Sequence, residues 1–228
     1  LPRIREYFQG QIVLVNDGPP GSTEAIAKKY DCTYLYTGNT KWRCPAWAFN
    51  LGVAASDGET VVLSCAEIYH TTDVLADLKV GDLEMVIPNG RDDNGMYLAY
   101  VQRYKKGCPE AYSFLPQLNT KLPFCMALKK TLYQEIGGYD EDFTGQGYDD
   151  DDFVTRLLDL GASYRAIPEQ VVHLFHDRRA PSRNHRALQY NKRLFEARRG
   201  IIVRNNRPGA QYANELHGCR NDALEISF

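Results

Sequence analysis

Gly137-Gly138-Tyr139-Asp140-Glu141-Asp142-Phe143-Thr144-Gly145-Gln146-Gly147-Tyr148-Asp149-Asp150-Asp151-Asp152 is the stretch whose reading decides this chain. It closes on four adjacent carboxylates that repel one another. They precede an apolar stretch in which Phe153, Val154, Leu157, Leu158 and Leu160 recur at helical spacing. Gly161 stands where a helix stop belongs. The aspartates therefore fall at the cap and first turn, where the helix dipole stabilises each by about 0.3–1 kcal/mol. Asp152 is placed to pair with Arg156 one turn on. An over-capped helix accounts for one or two of these residues. Four after a Gly-x-Gly turn point to function, and the dipole is expected to keep the run ionised.

Working outward, strands and helices alternate. Gln11–Val15 is a short buried-strand pattern, followed by an Asn16-Asp17-Gly18-Pro19-Pro20-Gly21 turn. Ser22 opens a helix to about Tyr30, and Thr33–Tyr36 reads as a strand. Pro45 suits the first turn of a helix to about Ala55. Thr60–Cys65 and Glu84–Pro88 are further strands, with a helix capped at Thr71 or Thr72 and running to Leu78 between them. Asn89–Lys121 is polar and weakly periodic, with one helix near Met96–Lys105. Phe124–Leu128 is a strand, and Thr131 caps a short helix ended by Gly137-Gly138. Tyr164–Pro168 and Val171–Phe175 are strands after the acidic helix, and Asn184–Arg198 is a basic amphipathic helix. This alternation predicts an α/β fold with a mostly parallel central sheet and helices on both faces.

The 228 residues suit one sizeable domain with an appendage. Hydrophobic content of 43% and charged content of 25% are those of a globular protein. No apolar run is long enough for a transmembrane segment. The net charge of −2 gives no bias toward nucleic acid. The six cysteines (Cys32, Cys44, Cys65, Cys108, Cys125, Cys219) contain no Cys-x-x-Cys pair and are expected to be reduced. That favours a cytoplasmic location, with peripheral membrane attachment as a variant.

In open α/β sheets, ligands bind beyond the carboxyl ends of the strands. Three clusters sit at such places: Asn16-Asp17-Gly18, Cys65-Ala66-Glu67 with His70 beyond, and His173-Leu174-Phe175-His176 with Arg178 and Arg179. Each has a plain structural reading as a turn, a solvated carboxylate, a satisfied histidine pair or a basic patch. If Val171–Phe175 is a strand, His173 and His176 lie on opposite faces. Together the clusters supply the carboxylate, imidazole and guanidinium groups that hold a divalent cation on a phosphorylated ligand.

The order of motifs resembles that of inverting glycosyltransferases of the GT-A fold, in the broad family-2 group. The C-terminal half resembles the animal β-1,4-galactosyltransferases and the polypeptide N-acetylgalactosaminyltransferases. Val15-Asn16-Asp17-Gly18 is similar to a Val-Asp-Asp-Gly nucleotide-binding turn. Asn50-Leu51-Gly52, Ala55 and Gly58-Glu59 resemble Asn-x-Gly…Ala-x-Gly-Glu. Gly137–Phe143 resembles Gly-Gly-Phe-Asp-Glu-x-Phe, and Gly145–Asp152 resembles Gly-Trp-Gly-Gly-Glu-Asp-x-Asp, with Arg156 also matching. The resemblance covers roughly residues 11 to 176.

The resemblance implies a single GT-A, Rossmann-like domain over residues 1–180, with a C-terminal helix and surface-wrapping tail over 181–228. It implies transfer of a hexosyl or N-acetylhexosaminyl group, with inversion, from a nucleotide-diphosphate sugar (a UDP-sugar first) to a hydroxyl acceptor that is a glycan, a lipid-linked acceptor or a protein. Asp150 aligns with the catalytic base. Asp149, Asp151 and Gly138 would hold the acceptor. Asn16, Asp17 and Arg178 would bind the nucleotide. Glu67, His173 and His176 would hold Mn2+ or Mg2+. Two departures stand out. Cys65 replaces the first aspartate of the family's Asp-x-Asp, and the family's first strand is missing before Leu1, which reads as an incomplete N-terminus. His70 is assigned to the surface rather than to the ligand set. The alternatives are a binding module of the same fold without catalysis, a nucleotidyltransferase, and a metal-dependent hydrolase.

Overall fold

The computed structural model describes residues 1–39, 43–104, 114–118, 122–176 and 185–205. Arg178, Arg179, Cys108, Cys219 and the tail after Asn205 lie outside the described residues. In chain order the elements are α1 (Pro2–Tyr7), β1 (Val13–Asn16), α2 (Thr23–Lys29), β2 (Thr33–Tyr36), α3 (Ala46–Ala54), β3 (Thr60–Ser64), β4 (Ile68–His70), a 3-10 turn (Val74–Asp77), β5 (Glu84–Asp92), α4 (Met96–Tyr104), β6 (Cys125–Lys129), α5 (Lys130–Glu135), α6 (Asp149–Asp159), β7 (Ser163–His173) and α7 (His185–Ala197). They group into two compact units. One is drawn from Leu1–Gln9, Val62–Lys129 and Ala162–Arg178, the other from Gly10–Val61, Lys130–Gly161 and Arg179–Phe228.

A five-stranded sheet, in the order β3-β6-β5-β7-β4, dominates the first unit. Its inner strands are continuous apolar runs. Met85, Val86 and Ile87 on β5 and Cys125 to Leu128 on β6 are almost wholly buried, as expected where both faces are covered. β3 alternates buried and exposed residues, the pattern of an edge with one wet face. The sheet is mixed rather than mostly parallel. β5 and β7 pair in parallel, whereas β5/β6 and β4/β7 are antiparallel. Alternating strands and helices in the sequence fix no strand direction, and short connections allow both.

Two expected boundaries changed in this unit. β5 runs on to Asp92, and the two strands expected over Tyr164–Phe175 are one strand ending at His173. The register shifts between Pro88 and Asn89, where Pro88 opposes Ile167 and Asn89 opposes Gln170. Proline has no N–H to give a ladder, so Pro88 and Pro168 make the irregularity, and pairing resumes beyond it. The segment expected as a helix to Leu78 forms only the short 3-10 turn.

The second unit carries the parallel pair β1/β2, with Val13 opposite Thr33 and Asn16 opposite Tyr36. α3 packs on β1 at Gly52, where an added Cβ would meet Val15 Cγ2 at 3.3 Å. Its remaining core is aromatic. Tyr139 lies between Phe49 and Phe153, its ring stacked on theirs with centroids 5.0 and 4.3 Å away. Leu132, Ile136, Phe143 and Leu157 are buried in this unit as well. Among the described residues, no helix is long and apolar enough to cross a membrane.

Candidate active site

The four aspartates form the first turn of α6, as the periodicity predicts, with Tyr148 as the N-cap in the left-handed region at φ 69°. They split into different environments. Asp152 is buried and pairs with Arg156 at 2.7 Å, the predicted helical contact. Its other oxygen accepts from Arg204 Nη2 at 3.1 Å. Arg204 Nε also reaches Asp140 at 3.0 Å, and Arg198 bonds Asp140 as well. Asp140, Asp152, Arg156 and Arg204 are thus a buried ion network. Arg204 was missed in the sequence, because nothing local to it signals a partner 52 residues away.

Asp149 is buried and accepts from the Cys44 thiol at 3.3 Å. Asp150 is half-buried and accepts at Oδ1 from the Tyr139 hydroxyl at 2.9 Å. Asp151 is exposed. Against the expectation that the dipole keeps the run ionised, burial favours the neutral form at two of the four. Burial, reinforced by the neighbouring Asp149 charge, pushes Asp150 up to about 7, against the Tyr139 hydrogen bond that pulls it down. Burial also raises Asp149, against the Cys44 thiol and nearby backbone N–H groups. Desolvation of a charge inside the protein outweighs a dipole whose effect is about 0.3–1 kcal/mol. The Cys44 thiol, buried beside Asp149, is raised far above its usual range and remains a protonated donor.

Asparagines hold the loop that presents these carboxylates, with Asn205 donating to the Gly137 and Tyr139 carbonyls and accepting from Glu141 N. Asn50 on α3 grips the backbone of Tyr139 from both ends: its Nδ2 donates to Tyr139 O and its Oδ1 accepts from Tyr139 N, each at 2.9 Å. Its amide also donates to Glu141 at 2.8 Å. Gly138, at φ 69°, has no room for a side chain, since a Cβ would lie 2.5 Å from Asn50 Oδ1. That gives Gly138 a structural reason for being glycine. Asn191 on α7, fully buried, accepts from Thr144 N at 3.0 Å and donates to Thr144 O at 2.7 Å and Gly147 O at 2.9 Å. The basic helix thus reaches the Gly-x-Gly loop through an asparagine, a role its charge pattern does not signal.

At the end of β1, Asn16 donates to the Tyr34 hydroxyl at 3.2 Å. The Asp17 carboxylate is held by Arg43 in a two-point contact of 2.6 and 2.5 Å, and Thr37 donates to it too. The Arg43 guanidinium lies over the Trp47 ring at 4.7 Å. A nucleotide at Asp17 therefore competes with Arg43.

In the first unit, Glu67 follows β3, and its carbonyl accepts from Leu174 N at 2.9 Å, beside the end of β7. His173 Nδ1 lies 3.0 Å from Asp92 Oδ1. The His173 and His176 rings meet edge-on with centroids 5.3 Å apart. The opposite-face argument does not reach His176, because the strand stops at His173. His70 departs from its expected surface place. It is 3% exposed, and burial lowers it to about 4. Among the described residues, no three His, Cys, Asp or Glu side chains form a ready metal site. Glu67, His173 and His176 offer carboxylate and imidazole donors, and a divalent cation on them would need further oxygen ligands.

Residues 122–177 match the protein family described as the N-terminal domain of galactosyltransferase. None of the curated proteins matches the chain. Similar solved structures include the mannosyltransferase PcManGT from Pyrobaculum calidifontis in complex with GDP-Man and Mn2+, at 17% identity and TM-score 0.51, over 93% of this chain and 64% of that one. Another is the catalytic domain of Drosophila β1,4-galactosyltransferase 7 in complex with xylobiose, at 14% identity and TM-score 0.51, over 88% and 82%. A third is GalNAc-T7 with UDP, GalNAc and Mn2+, at 12% identity and TM-score 0.55, over 94% and 50%. The chain thus spans 64% of the first of these structures and half of the third. At such identities the likeness is one of fold, and the fold is that of the GT-A glycosyltransferases.

Proposed function

We propose that the protein is an inverting glycosyltransferase that moves a hexosyl or N-acetylhexosaminyl group from a nucleotide-diphosphate donor, a UDP-sugar first, to a hydroxyl of a glycan, lipid-linked or protein acceptor. The observation that carries this reading is Asp150. It is a carboxylate in the first turn of α6, held by Tyr139 and brought by burial to a proton affinity near neutrality. A base with such an affinity removes a proton from an attacking hydroxyl efficiently at neutral pH, worth about 10²–10⁴-fold. Asp149 and Asp151 flank it as acceptor contacts, and Gly138 shapes the turn before them. The GT-A fold and the family match over 122–177 support the transferase reading.

On the donor side, Asn16 and Asp17 are the proposed nucleotide contacts, and Arg178 a phosphate contact. Glu67, His173 and His176 would hold Mn2+ or Mg2+. Asp92 engages His173 Nδ1, so His173 would reach a metal through Nε2, oriented by the carboxylate behind it. When bound, the ion offsets the negative charge that develops on the departing nucleoside diphosphate. The diphosphate has to complete the ligand set with its own oxygens.

Hydrolysis and transfer across a nucleotide-sugar panel, with and without Mn2+, tests this reading. Asp150→Asn is expected to retain donor binding and lose about 10²–10⁴-fold in turnover. Donor binding without turnover in the unaltered protein would replace the enzyme by a nucleotide-sugar binding module.

A further inference from the structure

The residue in contact with Asp150 is a tyrosine at a place where the resembling motif has phenylalanine. Its hydroxyl is not needed for packing. The Tyr139 ring is already clamped between Phe49 and Phe153, nearly parallel to the latter at 3°. Its backbone N–H and carbonyl are both held by Asn50. A ring so constrained fixes the position of its hydroxyl oxygen, which donates to Asp150 Oδ1 at 2.9 Å.

We propose that Tyr139 is a positioning residue for the reaction: its hydroxyl holds one oxygen of Asp150 and so presents the other to the acceptor. This rests on the reading of Asp150 as the base. Tyr139 is wholly buried, and burial beside Asp150 raises its own pKa well above the usual phenol range. It therefore remains a donor at every working pH. A hydrogen bond to the ionised form of an acid favours that form. The hydroxyl thus also keeps part of Asp150 ionised against burial and against the charges of Asp149 and Asp151 on the same helix. The Cys44 thiol, which contacts Asp149, and the Tyr133 phenol beside Tyr139 are both held protonated by burial.

Tyr139→Phe deletes the hydroxyl and keeps the stacked ring. Two readouts apply: the pH profile of kcat/KM, and the titration of the Asp150 carboxyl followed by carbon NMR. A charge-assisted hydrogen bond of this kind corresponds to about one pH unit. The acid limb of the profile and the Asp150 titration should both move up by about that much, with donor KM unchanged. Because Tyr139→Phe keeps the ring packing, a merely structural role would leave both the limb and the carboxyl titration unmoved. An unmoved carboxyl titration in Tyr139→Phe overturns the proposal. So does a moved titration with an unmoved limb. In that last case Asp150→Asn separates the causes: normal turnover puts the base assignment at fault, and lost turnover puts the positioning role at fault.

Discussion

Arg204 Nη2 donates to Asp152 Oδ1 across 3.1 Å, joining the C-terminal segment to the first turn of α6 in a buried contact. Asp152 has Arg156 on its other oxygen, so the carboxylate answers two guanidinium groups. Arg156 Nη1 also donates to the Ile136 carbonyl at 2.8 Å. Removing Asp152 would strand the Arg156 guanidinium in a dry site, while Arg204 keeps Asp140. Asp152→Ala is expected to lose about 3–5 kcal/mol of stability, the usual cost of stranding a buried partner. Urea unfolding measures it, and a loss below about 1 kcal/mol would show that water reaches the network.

Asp150 makes the pH dependence of stability run opposite to that of an ordinary paired carboxylate. Its folded value, about 7, lies well above the usual carboxylate range of the unfolded chain. Between those values the folded state binds more protons than the unfolded one, so stability falls as pH rises through this window. Burial raises Asp149 as well, which acts in the same direction. Asp150→Asn should therefore melt higher than the unaltered protein at pH 8, with the gap closing toward pH 4. Melting curves across pH 4–8 decide this, and equal melting temperatures at pH 8 would contradict the raised value.

Asn191 on α7 bonds the backbone of the Thr144–Gly147 loop at Thr144 N, Thr144 O and Gly147 O. Asn191→Ala would remove a fully buried amide together with its bonds to Thr144 N, Thr144 O and Gly147 O. The expected cost is about 1–3 kcal/mol. Protease cleavage within residues 144–147 should also quicken. A variant as stable and as resistant as the parent would mean that the loop is held by other contacts.

His173 and Asp92 test the donor side. His173→Ala should weaken Mn2+-dependent binding of a nucleoside diphosphate strongly. Asp92→Asn, which alters only the group behind the imidazole, should weaken it by about 10–100-fold. Calorimetric titrations with and without Mn2+ measure both. Unchanged affinity in His173→Ala would remove it from the ligand set.

Much of the fold was legible in the chain. The helices around Met96, Thr131, Asp149 and His185 were placed to within a residue or two, the last two by apolar spacing and the Thr131 helix by its cap and the Gly137-Gly138 stop. The Gly137–Asp152 block signalled a turn, a loop and an acidic helix start, all of which stand. Strand direction did not follow, since a strand pattern is the same read either way. The join of β7 through Pro168 did not follow either, because proline reads as a stop where the tertiary sheet supplies a bulge.

The sequence by itself determined what is set within a few residues: the elements, the Asp152–Arg156 contact one helical turn apart, and the carboxylate cluster at the head of α6. Only the tertiary structure decided how those carboxylates differ. Asp152 became a structural anion because Arg204 arrives from the far end of the chain. Asp149 met a thiol, and Asp150 met a phenol held between two rings. Four identical side chains in a row have the same intrinsic chemistry. Their proton affinities diverge through desolvation and through contacts from distant segments, which arise only when the chain has folded.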